Sequence, residues 1–137
     1  EEHLHIQGDR EKMTLALRNI LKNAFTYTDV PGTVTVVLKN TGKIQGSDRI
    51  ILEVTNSPAF IDEQDLDNIW VQFYKRDRSR HRVPNSTGLG LSIVKNILDR
   101  HGFPYSLRNV TLPSGETGVS FRVEFCDLRG RTGIQEK

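Results

Sequence analysis

The sequence predicts an α+β fold, a two-layer α/β sandwich whose mixed, mostly antiparallel sheet is covered on one face by helices. Three observations predict it. Apolar residues recur at helical spacing in two separate stretches, around 13–24 and 91–98. β-Branched runs at 33–38 and 50–54 flank a short Gly- and Ser-containing segment, so they read as an antiparallel pair. Two further strand-like runs, at 105–110 and 118–126, are joined by Pro113-Ser114-Gly115. The 137 residues are the length of one domain with one core. That domain is expected over 1–127, with a frayed polar tail over 128–137.

Taken in order, Leu4 and Ile6 predict a short first strand. Asp9 is a good N-cap for a helix in which Met13, Ala16, Leu17, Ile20, Leu21 and Ala24 form one stripe. That helix should end near Thr28, before Pro31-Gly32. Thr33–Leu38 and Ile50–Val54 follow as the strand pair, with Thr41-Gly42, Gly46 and Ser47 as the loop between them. Asp62 opens a short helix whose Leu66, Ile69, Trp70 and Phe73 share a face. Residues 75–87 lack any apolar period and read as a long loop, of a size that is usually functional or disordered. Gly88-Leu89-Gly90-Leu91 then starts a helix with apolar Leu91, Val94 and Leu98, stopped by Gly102.

Composition excludes several classes. Hydrophobic residues at 36% and charged residues at 26% exclude collagen-like and plainly disordered chains. No run approaches the ~18 apolar residues of a membrane span, and the acidic Glu1-Glu2-His3 opening is unlike a signal peptide. No direct membrane contact is therefore expected from this segment. The single Cys126 excludes an internal disulfide and is expected to pack as a small core residue. His3, His5, His81 and His101 show no paired ligand spacing, so no histidine metal site is expected. The net charge of +2 does not point to nucleic acid. Lys75, Arg76, Arg78, Arg80, His81 and Arg82 crowd one stretch against Asp77 alone. They form either a solvated loop or a surface that meets a polyanion. A nucleic-acid-binding domain would interleave stacking aromatics there, and none follows Tyr74 within the loop.

Two patterns carry chemistry. Asn19 and Asn23 stand four apart, on one helix face beside the apolar stripe. They are either plain surface residues or amide oxygens that serve a hard cation such as Mg²⁺, which needs few protein ligands when phosphates and water supply the rest. Ser86-Thr87-Gly88-Leu89-Gly90-Leu91 is a Gly-rich turn entering a helix N-terminus, where free N–H groups and the helix dipole favour an anion. It is not a P-loop, because no G-K-[ST] follows.

Together, Asn19-Ile20-Leu21-Lys22-Asn23-Ala24 with Tyr27-Thr28, then Phe73-Tyr74-Lys75, the basic loop and Thr87-Gly88-Leu89-Gly90-Leu91-Ser92-Ile93-Val94-Lys95 resemble the ATP-binding catalytic domain of sensor histidine kinases. This is the GHKL, or Bergerat, fold, and the resemblance runs from about Gly8 to Phe125. It implies ATP and Mg²⁺ as cofactors. Asn23 would hold the metal, Asn19 would face the phosphates, and Tyr27 would line the pocket. Lys75 and Arg80 in an ATP lid would meet the triphosphate, and Phe73 would anchor the lid. Backbone amides around Thr87, Gly88, Leu89, Gly90 and Leu91 would cap the phosphates, and Ile61 would pack near adenine. Relatives that hydrolyse ATP carry a Glu at the position of Asn19; an amide cannot act as a base, so transfer of the γ-phosphoryl is implied. The implied partners are the kinase's own dimerisation domain, which bears the phosphoacceptor His outside this chain, and a downstream response regulator. A cytoplasmic location is implied as well.

The pattern departs in three places. The D-x-G-x-G motif aligns with Asn56-Ser57-Pro58-Ala59-Phe60, Thr26 stands where a basic residue is common, and Lys75 replaces an arginine. Asn56 can both accept and donate, so it can meet adenine or guanine. Phe60 either stacks on the base, as an aromatic wall favours, or partly fills an empty pocket as a plug. The alternative is a degenerate nucleotide-binding or non-catalytic interaction module of the same fold, one that binds nucleotide weakly.

Overall fold

Helix α1 (Arg10–Thr26) starts where Asp9 caps it, with the Asp9 carboxylate accepting from the Lys12 N–H at 3.0 Å. This satisfies one of the unpaired donors of the first turn. The computed structural model describes residues 4–44, 46–71 and 90–125. The stripe read from the sequence is the buried one: Met13, Ala16, Ile20 and Ala24 are in the core, with Leu17 and Leu21 packed against it. Tyr27 closes the helix one residue short of the expected Thr28, its N–H donating to the Asn23 carbonyl.

Strands β1 (Thr33–Ile44), β2 (Ser47–Ser57), β3 (Tyr105–Thr111) and β4 (Thr117–Phe125) form a sheet in the order β1-β2-β4-β3. Every pairing among the described strands is antiparallel, so the parallel component of the expected mixed sheet is not found among them. Leu52 pairs with Val123 and Val54 with Phe121 on the face beneath the helices, and all four are buried. The other face is mostly polar, although Ile51 is buried on it. Arg49 and Glu124 form an ion pair at 2.6 Å there, and the Thr55 hydroxyl donates to that of Ser120. One covered face and one wet face produce this alternation.

Three expectations need correction. Residues 4–7 are not a strand: Leu4 packs on the core but Ile6 is 42% exposed, and none of the described strands pairs with them. Two alternating apolar residues are too short a pattern to specify a strand. The hairpin is longer than read, because Thr41-Gly42 is a bulge rather than its loop. The register shifts between Asn40 and Lys43, Gly42 adopts φ +113°, and the Asn40 side chain bonds both the Gly42 N–H and Asp48. An extra residue in one strand is accommodated in this way without ending the pairing. The helix after Asp62 is a single turn, α2 (Glu63–Leu66), yet Leu66, Ile69 and Trp70 still pack on the core. Phe73, Cys126 and the tail from 128 lie outside the described residues.

Helix α3 (Gly90–His101) buries Leu91, Val94, Ile97 and Leu98. Gly102 at φ +70° ends it: the Gly102 N–H donates to Asp99 and the Phe103 N–H to Leu98, with Leu98 and Phe103 both buried. This is the Schellman arrangement, which needs a residue tolerant of positive φ. The helix is also tied to the start of α1. His101 Nε2 accepts from the Asp9 N–H at 3.0 Å, which leaves the ring proton on Nδ1 to donate to the Ile97 carbonyl at 2.7 Å. Among the described residues no helix is long and apolar enough to cross a membrane.

Candidate functional site

Helical spacing sets Asn19, Asn23 and Tyr27 in one row along α1, beside the buried stripe. All three are half-buried. Asn19 is oriented by its own helix, its Nδ2 donating to the Leu15 carbonyl at 2.9 Å. That leaves Oδ1 turned towards α3, where a Cβ built on Gly90 would lie 3.2 Å from it. The absence of a side chain at Gly90 therefore keeps a gap between Asn19 and the first turn of α3. Leu91 is 6% exposed, so its side chain belongs to the core and only its backbone is available to a ligand.

This end of the molecule combines amide oxygens from α1 with the positive end of the α3 dipole. No acidic residue stands in the first turn of α3. Among the described residues no group of three or more His, Cys, Asp or Glu side chains could hold a metal ion. The oxygen donors near Gly90 are neutral amides, a donor type suited to Mg²⁺ only when phosphates complete its shell. Asn19 and Asn23 fit that requirement. The groups with shifted protonation lie elsewhere. The Asp99 carboxyl is held below its usual range, chiefly by a hydrogen bond from Lys95, and that of Glu124 by one from Arg49.

Asn56 ends the row of inward-facing residues on β2 and is 6% exposed, paired with Val34 on β1 and Val119 on β4. Its side-chain amide has no hydrogen-bond partner among the described residues, so both its donor and its acceptor are available. The chain then turns through Pro58–Ile61. The Pro58 carbonyl accepts from the Asp29 N–H just past α1, and the Ala59 N–H donates to the Thr117 carbonyl. Phe60 is 53% exposed, an exposure at odds with a ring buried as a plug, while Ile61 is 1% exposed. Ile61 is held from β3: its N–H donates to Asn109 Oδ1 at 2.9 Å and its carbonyl accepts from Asn109 Nδ2 at 2.7 Å.

The structure thus brings Asn19 against Gly90, and Asn56 and Ile61 to neighbouring parts of the sheet end. Asn23 and Tyr27 continue the Asn19 row. Lys75, Arg80, Thr87, Gly88 and Leu89 lie outside the described residues. Asn109 was not singled out by sequence. The available signal was an amide at an inward position of β3, two residues after Leu107.

The sequence pattern of the histidine kinase-, DNA gyrase B- and HSP90-like ATPases matches residues 8–128. The chain is 31% identical over 130 residues to the sensor histidine kinase YkoH of Bacillus subtilis, covering 95% of this chain and 26% of that protein. It is 29% identical over 102 residues to the sensor histidine kinase WalK of the same species, covering 74% of this chain and 16% of that protein. The chain therefore spans about a quarter or less of the length of these relatives. Among solved structures, the catalytic domain of the histidine kinase ThkA superposes with a TM-score of 0.71 at 27% identity, over 92% of this chain and 73% of that one. The mycobacterial sensor histidine kinase MprB superposes with a TM-score of 0.73 at 22% identity, over 88% and 75% of the two chains.

Proposed function

Because this chain belongs to the histidine kinase-, DNA gyrase B- and HSP90-like ATPase family, we propose that it is the ATP-binding catalytic domain of a sensor histidine kinase. In this reading it passes the γ-phosphoryl of Mg-ATP to a histidine on a dimerisation domain, from which a response regulator is served. The observation that carries the reading is Asn19, whose Oδ1 faces Gly90 where a hydrolytic site needs a base. A carboxamide neither takes nor gives a proton at neutral pH. A water molecule held there would not be activated, whereas a neutral imidazole nitrogen attacks without a base. The bond from γ-phosphorus to the bridging oxygen breaks, a nitrogen–phosphorus bond forms, and ADP leaves.

Such transfer is mostly positioning and charge neutralisation. Asn23 would hold Mg²⁺, which supplies charge neutralisation on the phosphates. The backbone N–H groups at the start of α3 would orient the outer phosphates, and Asn19, which faces them with an acceptor oxygen, would meet them through Mg²⁺ or its water. Asn56 would read the base edge through its free donor and acceptor, with Ile61 against the ring and Phe60 at the pocket mouth. Lys75 and Arg80 would meet the triphosphate from the lid. A cytoplasmic location and the two partners belong to the same reading.

Calorimetric titration with ATP, with and without Mg²⁺, tests the reading. The expected result is Mg²⁺-dependent binding that Asn23→Ala abolishes, with the fold kept because Asn23 lies beside the buried stripe. Unchanged affinity in the variant removes Asn23 from the site. The replacement of both motif glycines, by Pro58 and Phe60, favours one rival: a degenerate interaction module, for which the unsubstituted chain binds nucleotide weakly or not at all.

A further inference from the structure

We propose that Asn109 is a positioning residue for nucleotide-base recognition, fixing the Ile61 wall of the pocket relative to Asn56. The inference rests on the functional reading above. Its starting point is the double hydrogen bond between the Asn109 carboxamide and both backbone groups of Ile61, 48 residues apart in the chain. The segment at Ile61 is not a strand, yet its N–H and carbonyl are paired as if a neighbouring strand were present. The side chain of Asn109 supplies that missing edge.

Few side chains could do so. The pairing needs one donor and one acceptor, coplanar, at the reach of a single methylene. Aspartate lacks the donor when ionised, serine offers one hydroxyl for two partners, and glutamine is a methylene longer. The geometry also places the clamp with the base reader. Asn109 pairs with Val119, and Val119 pairs with Asn56, so the three lie in one row across β3, β4 and β2. With strands about 4.8 Å apart, Asn109 and Asn56 are about 10 Å from each other. The Ile61 backbone is thereby referenced to the same row of the sheet that carries Asn56. A segment built from Pro58, Ala59 and Phe60 has less freedom than a glycine-rich one to adjust around a base. Its position must therefore be set from outside, and Asn109 sets it.

The test is titration of the unsubstituted chain, Asn109→Leu and Asn109→Asp with AMP, ATP and GTP, each with and without Mg²⁺. Asn109→Leu is expected to weaken AMP and ATP by the same factor, about tenfold, and to lower the preference for ATP over GTP. The gain in ATP affinity on adding Mg²⁺ should not change, because the clamp acts on the base and not on the phosphates. Asn109→Asp carries a readout that a purely structural role would not move. As a neutral acid its carboxyl group can both donate to the Ile61 carbonyl and accept from the Ile61 N–H; as an anion it can only accept. Its affinity relative to the unsubstituted chain, measured at each pH, should therefore recover as pH falls through the carboxyl's titration. This second variant decides the matter if Asn109→Leu does not fold. Unaltered AMP affinity and an unaltered ATP-to-GTP ratio, or no recovery in acid, overturn the inference while leaving the functional reading in place. Absence of nucleotide binding by the unsubstituted chain overturns the functional reading and this inference with it.

Discussion

Substituting Gly90 by alanine separates stability from ligand binding. The new methyl carbon would sit 3.2 Å from Asn19 Oδ1, where ordinary contact begins at 3.4 Å, so Asn19 must yield by at least a few tenths of an ångström. Asn19 is half-buried and can rotate, so the steric cost stays below about 1 kcal/mol, under the 1–3 typical of a well-packed core. Against it stands a gain of about 0.5 kcal/mol from replacing glycine in a helix. The two nearly cancel. At about 4 °C per kcal/mol for a domain of this size, the melting temperature should move by no more than about 2 °C. Binding should respond differently. A displaced Oδ1 would lose its contact with the Mg²⁺ that accompanies the outer phosphates, a contact to a charged group worth about 1.5–3 kcal/mol. That corresponds to about a tenfold to hundredfold loss of ATP affinity. AMP, which lacks the outer phosphates, should lose much less. Calorimetric titration of both nucleotides beside a thermal melt measures all three quantities. ATP affinity within twofold of the unsubstituted protein, with an unchanged melt, would refute the assignment of this gap to the phosphates.

Three other perturbations have defined outcomes. Asn56→Asp removes the donor and keeps the acceptor, so the ratio of ATP to GTP affinity should rise; an unchanged ratio means that residue 56 does not read the base. Gly118→Ala should destabilise by about 1–3 kcal/mol, because its Cβ would lie 2.9 Å from the Asn56 carbonyl oxygen, and chemical denaturation should show it together with weaker nucleotide binding. Glu124→Gln breaks the ion pair with Arg49, whose side chains are 35% and 22% exposed for Arg49 and Glu124, so the loss is at most about 1 kcal/mol. Hydrogen bonding from Arg49 holds the Glu124 carboxyl below its usual range. Its stabilisation is therefore present above the ordinary glutamate range and lost as pH falls through the depressed value. Melting temperatures of the two proteins should differ at neutral pH and converge in acid.

What the sequence made legible was periodic. A capping Asp9, a stripe at helical spacing and two amides four apart gave α1 and the amide row beside its buried stripe, because each signal lies within a few residues of the next. The bulge at Asn40–Lys43 was misread as a loop, since Thr41-Gly42 has turn composition and only the far strand, through Asp48, shows that pairing continues. Leu4 and Ile6 alternate like a strand, but two residues are too short a pattern to specify pairing. Asn109 was missed for a related reason: its partner is a backbone 48 residues away, which no local period encodes. Gly90 was read for what it lets a ligand approach, and its space beside Asn19 emerged only once the two helices were packed.

The bond between His101 and Asp9 gives that gap a mechanical character. It latches the end of α3 to the start of α1, while Gly90 and Asn19 face each other at the far end. From residue 101 back to residue 90 is 11 residues, or about 16 Å of helix at 1.5 Å per residue. A displacement at Gly90 would therefore act on a lever whose pivot is the imidazole. Widening the gap by about 1 Å turns α3 through only about 3–4°. The apolar contacts of Val94, Ile97 and Leu98 lie between pivot and tip and move by less the nearer they are to His101. Leu91, buried beside the tip, would move nearly as far as Gly90, so the gap cannot widen without disturbing the core there.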